Sequence, residues 1–428
     1  MRPGMGRIDG ALTDVIRAMR QWALREQGIE GGLVMSSLSR RNFVKFWSVA
    51  GAGLGVASLL TACGGTGSGG SGEGGKIKIG ISTWSSTDAL GSLSVDIIKK
   101  AADVLGVETT IVDQGHVSEQ VTASAETLAA AGCDGIVICN SADSEMTSVI
   151  NTCNENEMYV TQFYRMISKD ASPDVYKAAQ DSKYYVGAVH EDEVLNGKTL
   201  MGLLTEKGGP NGTGARTICL EGWTVGDATF QLRWQGYKEG LDEWNDTHPD
   251  DRATMTEPVY ANTSSAEGAK VTEQFVNTYP TMDGLIVAGG GGDPLVGSIG
   301  QLANMGRTGQ ISVVSTDFLS DLADQLESGG IFAESGGHFC DPLYAFLLTY
   351  QACKGKLAKK EGEFGAEIKF PYVYVSSVDE YHEYEKYFVD AAPYSDDEIK
   401  QLADMGFDDL NKWATTLSID DVRQRHGA

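Results

Sequence analysis

From Lys76 onward the chain alternates short runs that are apolar on both faces with amphipathic helical stretches, and this alternation most restricts the fold. Residues 77–81 form a β-branched run that ends in the polar string 82–88. Leu93, Ile97, Ile98, Ala101 and Leu105 come next at three- and four-residue spacing, closed by Gly106, which predicts a helix. Residues 109–112, 135–140 and 159–163 continue the series as strands, with helices through Ala129 and around 146–153. The pattern then resets, with strands at 184–189, 217–220, 285–288 and 311–315 and helices at 195–204 and 230–244. A strand without a polar face must be covered on both sides, as in a parallel sheet flanked by helices. Two such series predict an α/β chain of two doubly wound, Rossmann-like lobes with parallel sheets. Ligands gather at the carboxyl ends of such strands, so the polar residues after each strand are the ones to read.

The first 75 residues do not share this pattern. Ser39-Arg40-Arg41-Asn42-Phe43-Val44-Lys45 precedes an uncharged stretch, residues 46–60, rich in Gly, Ala, Val and Leu. Fifteen residues at a helical rise of about 1.5 Å fall short of a hydrocarbon core of about 30 Å, so the stretch reads as an export signal. The string resembles a twin-arginine signal, and Leu60-Thr61-Ala62-Cys63 resembles a bacterial lipobox. That resemblance implies cleavage before Cys63 and lipid attachment to its sulfur. Met35 is a candidate start alongside Met1, and residues 64–75 are a Gly/Ser-type tether. The expected divisions are 1–62 for leader and signal, 63–75 for lipidated Cys and tether, 76–189 with 338–372 for lobe one, and 190–337 with 373–428 for lobe two and the tail.

Charge and cysteine usage exclude several classes. The whole chain has 34 basic and 59 acidic residues, a formal −25. Removing the leader leaves 26 basic against 55 acidic residues. Nucleic-acid binding needs a basic face, and so acidic a chain argues against one. Beyond Cys63, the thiols Cys133, Cys139, Cys153, Cys219, Cys340 and Cys353 form no C-x-x-C pair and have no His at metal-ligand spacing. Free buried thiols are expected.

Enzyme motifs fail one by one. Gly197-Lys198-Thr199 opens like a phosphate-binding loop, but the glycine required five positions earlier is Asp192. Gly289-Gly290-Gly291-Gly292 comes after a strand without completing G-x-G-x-x-G, and no G-x-S-x-G or H-E-x-x-H is present. No catalytic residue, cofactor or metal is expected.

Several strings together resemble the ribose/galactose-type, type I periplasmic-binding family, the sugar-binding lipoproteins of ABC importers. They are residues 131–138 (A-G-C-D-G-I-V-I), 159–165, Gln235-Gly236-Tyr237, 281–288 and Ser315-Thr316-Asp317, in order along residues 76–425. Lactose-repressor-type regulators share that fold but carry a DNA-binding helix-turn-helix where this chain has an export signal. The resemblance implies a sugar held between the lobes, its hydroxyls bonded by planar polar side chains and its C–H face packed on aromatics.

Residue by residue, Arg165 matches the lobe-one arginine that clamps ring hydroxyls, with Tyr164 where an Asp is usual. Asn140 matches a polar residue ending the preceding strand, and Trp84 stands near the stacking aromatics, with Asp88 beyond it. In lobe two, Asp317 matches the sugar-binding Asp, and Gln231 takes the place where ribose binders often have Arg. Asp293 comes after Gly292 where Asn-Asp is common, and His338 stands near the late hinge; Trp223 and Asp227 complete the candidates. Trp244 is expected to pack. The resemblance implies a monomeric, extracytoplasmic, lipid-anchored receptor that closes on a monosaccharide or polyol and serves an ABC permease. A sensory receptor of the same fold and an exported sugar-acting enzyme are the alternatives.

Overall fold

The computed structural model describes residues 76–209, 212–288 and 293–427; the expected export signal, Cys63 and the expected tether lie outside them. Within the unit Glu73–Ala428 the chain begins with β1 (Lys78–Thr83), α1 (Ala89–Leu105), β2 (Glu108–Asp113), α2 (Glu119–Ala130), β3 (Gly135–Ile138), α3 (Asp143–Glu155), β4 (Tyr159–Phe163), α4 (Pro173–Asp181) and β5 (Tyr185–Glu191). It continues with α5 (Glu193–Lys207), β6 (Thr217–Gly222), α6 (Ala228–Thr247), the short β7 (Thr254–Met255) and β8 (Val259–Tyr260), α7 (Ser265–Thr278), β9 (Gly284–Val287) and α8 (Asp293–Asn304). Then come β10 (Ser312–Thr316), α9 (Leu322–Ser328), β11 (Ala333–Gly336), α10 (Asp341–Cys353), β12 (Ala366–Phe370), β13 (Val373–Val375) and four terminal helices. These are α11 (Val378–Tyr384), α12 (Asp396–Asp404), α13 (Phe407–Thr415) and α14 (Ile419–Arg425).

Two sheets result, ordered β12-β5-β4-β3-β1-β2 and β13-β11-β10-β9-β6-β7, with β8 also beside β6. The first is parallel throughout, and the second is parallel apart from the β11–β13 pair. Their central strands are buried at every position, as the doubly apolar runs require. Local chemistry sets the helix ends. Asp88 Oδ1 caps α1 by accepting the Gly91 N–H at 2.6 Å, and Gly106 closes it at φ 68°. The helix α10, buried on nearly every face, packs under β3, β4 and β5, and Thr349 Oγ1 lies 2.7 Å from Thr161 Oγ1.

The chain passes between the sheets at residues 191–193, at Gly337 and at Pro371-Tyr372, and then a fourth time after α11. This corrects the expected placement of the tail. β13 and α11 belong with lobe two, but α12 packs on α1 and α10, and α13 packs on β12, all lobe-one elements. Tyr394 anchors the passage. Its fully buried hydroxyl lies 2.7 Å from Tyr344 OH, and its carbonyl accepts Lys100 Nζ at 2.6 Å. Gln351 Nε2 donates to Met405 O at 2.9 Å. Ile399, Leu402, Leu410 and Val422 join the same core as β1 and α10, so the tail's apolar stripe covers a face of lobe one.

The six cysteines among the described residues are unpaired; five are buried and Cys353 is half-buried. Trp244 stacks on His248 at 3.7 Å and carries the Arg216 guanidinium over its ring. Gly197 and Lys198 lie within α5, where Lys198 Nζ pairs with Glu243 at 2.7 Å.

Candidate functional site

In each lobe one non-glycine residue directly after a central strand is held in the left-handed region. Tyr164 comes after β4 at φ 60°, and Asp317 after β10 at φ 72°. Such strain costs about 1–3 kcal/mol per residue and persists where the surroundings over-determine it, often at binding sites. Both are candidates read from the sequence.

On the lobe-one side Tyr164 lies edge-on to Trp84, with ring centroids 5.4 Å apart, and to His338 at 5.2 Å. Its hydroxyl is 2.8 Å from Ser94 Oγ on α1, which fixes the ring. Trp84 Nε1 donates to Asp88 Oδ2 at 2.7 Å, so Asp88 both caps α1 and orients the indole. Arg165 is half-buried and takes part in no ion pair among the described residues. Asn140 is committed inside the lobe: its Oδ1 accepts Gln162 Nε2 at 2.6 Å and its Nδ2 donates to Ala142 O at 3.1 Å. It supports the strand ends instead of offering a free amide.

On the lobe-two side Asp317 does not cap α9; Asp321 holds that position. Asp317 Oδ1 lies 3.5 Å from His338 Nε2 without a hydrogen bond. Burial raises the Asp317 carboxyl, while the Arg233 and Arg165 charges oppose the rise and Asp88 adds to it. Ring contacts carry the lobe-one side to Asp317: Trp84 meets Tyr164, Tyr164 meets His338 at 5.2 Å, and His338 Nε2 lies 3.5 Å from Asp317 Oδ1. Burial pushes His338 down to about 3, so it is a neutral imidazole near pH 7, with Nδ1 unpartnered.

Other candidates are placed differently. Gln231 is exposed, while Arg233, two residues on along α6, is buried. Asp227 caps α6, accepting the Phe230 N–H at 2.7 Å. Trp223 is half-buried against the core of lobe two beside Phe230 and Leu220. Asp293 opens α8, and its side chain lies outside the described residues.

Arg233 organises the crossings. Its Nε and Nη2 grip Glu193 at 2.6 and 3.0 Å, and Nη2 also donates to Tyr372 OH at 3.1 Å. Tyr372 OH in turn donates to Glu193 Oε1 at 3.1 Å, and its ring lies 4.8 Å from that of His338. Residues from all three hinge passages therefore meet beside the cleft. Lys369 Nζ to Asp192 at 3.7 Å and His190 Nε2 to Glu367 at 3.1 Å add outer ties between the first and third.

Among the described residues no cluster of three or more His, Cys, Asp or Glu could hold a metal ion. The arrangement offers planar donors and acceptors beside aromatic faces, suited to a small polyhydroxylated molecule.

Two doubly wound lobes with such a cleft define a solute-binding receptor. The chain belongs to the periplasmic binding protein family: residues 79–336 match the model described as a periplasmic binding protein domain. The fold is shared with a galactofuranose binding protein, at 18% identity and TM-score 0.58, over 72% of this chain and 98% of that one. A solute binding protein of an ABC transporter from Bacillus halodurans, solved with myo-inositol, matches at 18% identity and TM-score 0.56 over 74% and 100%. A periplasmic solute binding protein from Actinobacillus succinogenes, solved with D-allose, matches at 15% identity and TM-score 0.57 over 70% and 98%. No curated protein matches this chain.

Proposed function

We propose that this protein captures a monosaccharide or sugar-like polyol between its lobes and delivers it to an ABC importer, without catalysis. The observation that carries this is the approach of Trp84 and Tyr164 from one lobe to Asp317 of the other through His338, which lies 5.2 Å from the Tyr164 ring and 3.5 Å from Asp317. The structural neighbours bound to D-allose and myo-inositol support the ligand class. Arg40-Arg41 and Cys63 support export and lipid anchoring at the outer face of the cytoplasmic membrane, with the monomer as working unit.

Micromolar capture needs about −8 kcal/mol, within reach of several charge-assisted hydrogen bonds of about 1.5–3 kcal/mol each. A thermal-shift screen of pentoses, hexoses and cyclitols tests the reading. The best ligand is expected to raise the melting temperature of the parent. Asp317→Asn and Arg165→Ala are each expected to weaken its binding about 10- to 100-fold, as loss of one such bond implies. Ligand that stabilised both variants as fully as the parent would place the site elsewhere, and turnover of a sugar would overturn the non-catalytic reading.

A further inference from the structure

β11 lies between β10 and β13, yet it carries an acid in a fully buried position, Glu334. Burying such a group is costly unless something bonds to it. Glu334 Oε2 accepts the backbone N–H of Leu319 at 3.1 Å, while Oε1 has no partner among the described residues. Leu319 stands two residues past Asp317, so this bond closes the turn that leaves β10. The rest of β11 meets the same turn. Ser335 O accepts the Asp317 N–H at 2.7 Å, and Ser335 Oγ donates to Thr316 Oγ1 at 3.0 Å. Gly336 shares a sheet face with Glu334, and a Cβ there would stand 2.7 Å from the Phe318 ring. That ring also lies edge-on to Tyr381 and Tyr384 of α11, with centroids 5.9 and 4.8 Å away. Thr316, Asp317, Phe318 and Leu319 are therefore each met by a residue of β11.

We propose that Glu334 is a positioning residue for the cleft: it holds the Leu319 N–H, fixes the 316–319 turn and so aims the Asp317 carboxyl at the captured molecule. This rests on the ligand capture proposed above. A non-glycine residue in the left-handed region relaxes unless its surroundings hold it, and Asp317 sits at φ 72°. The Ser335 carbonyl holds the near end of the turn, at Asp317, and Glu334 holds the far end, at Leu319. Among the described residues no hydrogen bond steers Asp317 Oδ1, which lies 3.5 Å from His338 Nε2, so the aim of that oxygen follows its backbone. Methionine at 334 would fill similar space without burying an acid, but its thioether is only a weak acceptor. A carboxyl oxygen accepts whether the acid is protonated or ionised, so the role depends on neither state.

The test uses the full chain, with D-allose and myo-inositol as probes and calorimetric affinities taken well below the melting temperature, where only folded protein is read. For the probe that binds more tightly, Glu334→Met is expected to weaken affinity about tenfold, as loss of one hydrogen bond implies. Glu334→Gln, whose amide oxygen accepts the same N–H, should recover most of that loss. Asp317→Gly removes the carboxyl and keeps the left-handed turn without strain. In that background Glu334→Met should change affinity by less than about twofold, because it has no carboxyl left to aim. A residue that only supports the fold would weaken binding equally in both backgrounds, and that result would overturn the proposal. Gly336→Ala, which presses on Phe318 from the same strand, supplies the same comparison should Glu334→Met not fold. Hydrogen exchange of the ligand-free chain is the second readout. Loss of the acceptor should speed exchange of residues 317–321 while β10 and β11 stay slow; acceleration of both strands alike, or of nothing, would overturn the proposal. If neither probe binds the parent, exchange still decides whether Glu334 holds the turn, and the wider sugar screen decides capture separately.

Discussion

Arg233→Met is expected to destabilise the protein by about 3–5 kcal/mol, the cost of leaving a buried carboxylate without its cation. Arg233 and Glu193 side chains are 8% and 10% exposed, so water cannot take the place of the lost guanidinium. Three hydrogen bonds leave with it, two to Glu193 and one to Tyr372. Glu193 then keeps only the Tyr372 hydroxyl, one donor for two carboxylate oxygens. The cost should therefore be reversible. Arg233→Met with Glu193→Gln removes the orphan charge and should recover most of the loss, because buried ion pairs and their neutral replacements are often near-equal in stability. Urea unfolding near pH 7 measures both variants. A single-variant loss under about 1 kcal/mol would class the pair with exposed ion pairs and refute its role in joining the passages. Ligand affinity should fall in the single variant as well, since Asp317 loses one of the two positive charges that oppose its burial.

The sequence made this arrangement legible wherever the chemistry leaves a local mark. The central strands did so, because a run such as Tyr159-Val160-Thr161-Gln162-Phe163 coincides with β4 and is buried at four of its five positions. The edge did not. β11 is Ala-Glu-Ser-Gly, with no β-branched residue and with a buried acid, and β13 has three residues. The tail was expected with lobe two, but which lobe it covers depends on contacts with α1 and α10 far away in sequence. Asp317 and Tyr164 could be read as candidates because strand ends mark cleft positions, whereas buried Arg233 lies inside a charged helix that the reading passed over. A signal existed: Phe230, Arg233 and Tyr237 recur at three- and four-residue spacing, and all are buried on α6. A cation on that face must have a buried partner, while Gln231 falls on the exposed side. Its partner Glu193 stands 40 residues earlier, beyond any local pattern.

Gly236→Ala is expected to be among the most damaging of single-methyl additions, at more than about 3 kcal/mol, above the usual overpacking range. A Cβ at Gly236 would stand 2.1 Å from the Val194 carbonyl oxygen, and one at Gly197 would stand 2.1 Å from that of Arg233. Both obstacles are backbone atoms, so no rotamer change relieves the clash and α5 must part from α6. The Gly197 that opens like a phosphate loop is thus explained by helices touching backbone to backbone. That contact also sets the site, because Glu193 begins α5 and Arg233 lies in α6; parting the helices lengthens their bonds. Gly202, on the same α5, supplies the control: a Cβ there meets nothing within 4 Å. Gly202→Ala should stabilise the chain by about 0.5–1 kcal/mol, the ordinary helix preference for alanine over glycine. Thermal melts of the two variants should therefore move in opposite directions, and only Gly236→Ala should lose ligand affinity. If the two shifted alike, helix propensity alone would account for both, and the close α5–α6 approach could not be what holds Arg233 against Glu193.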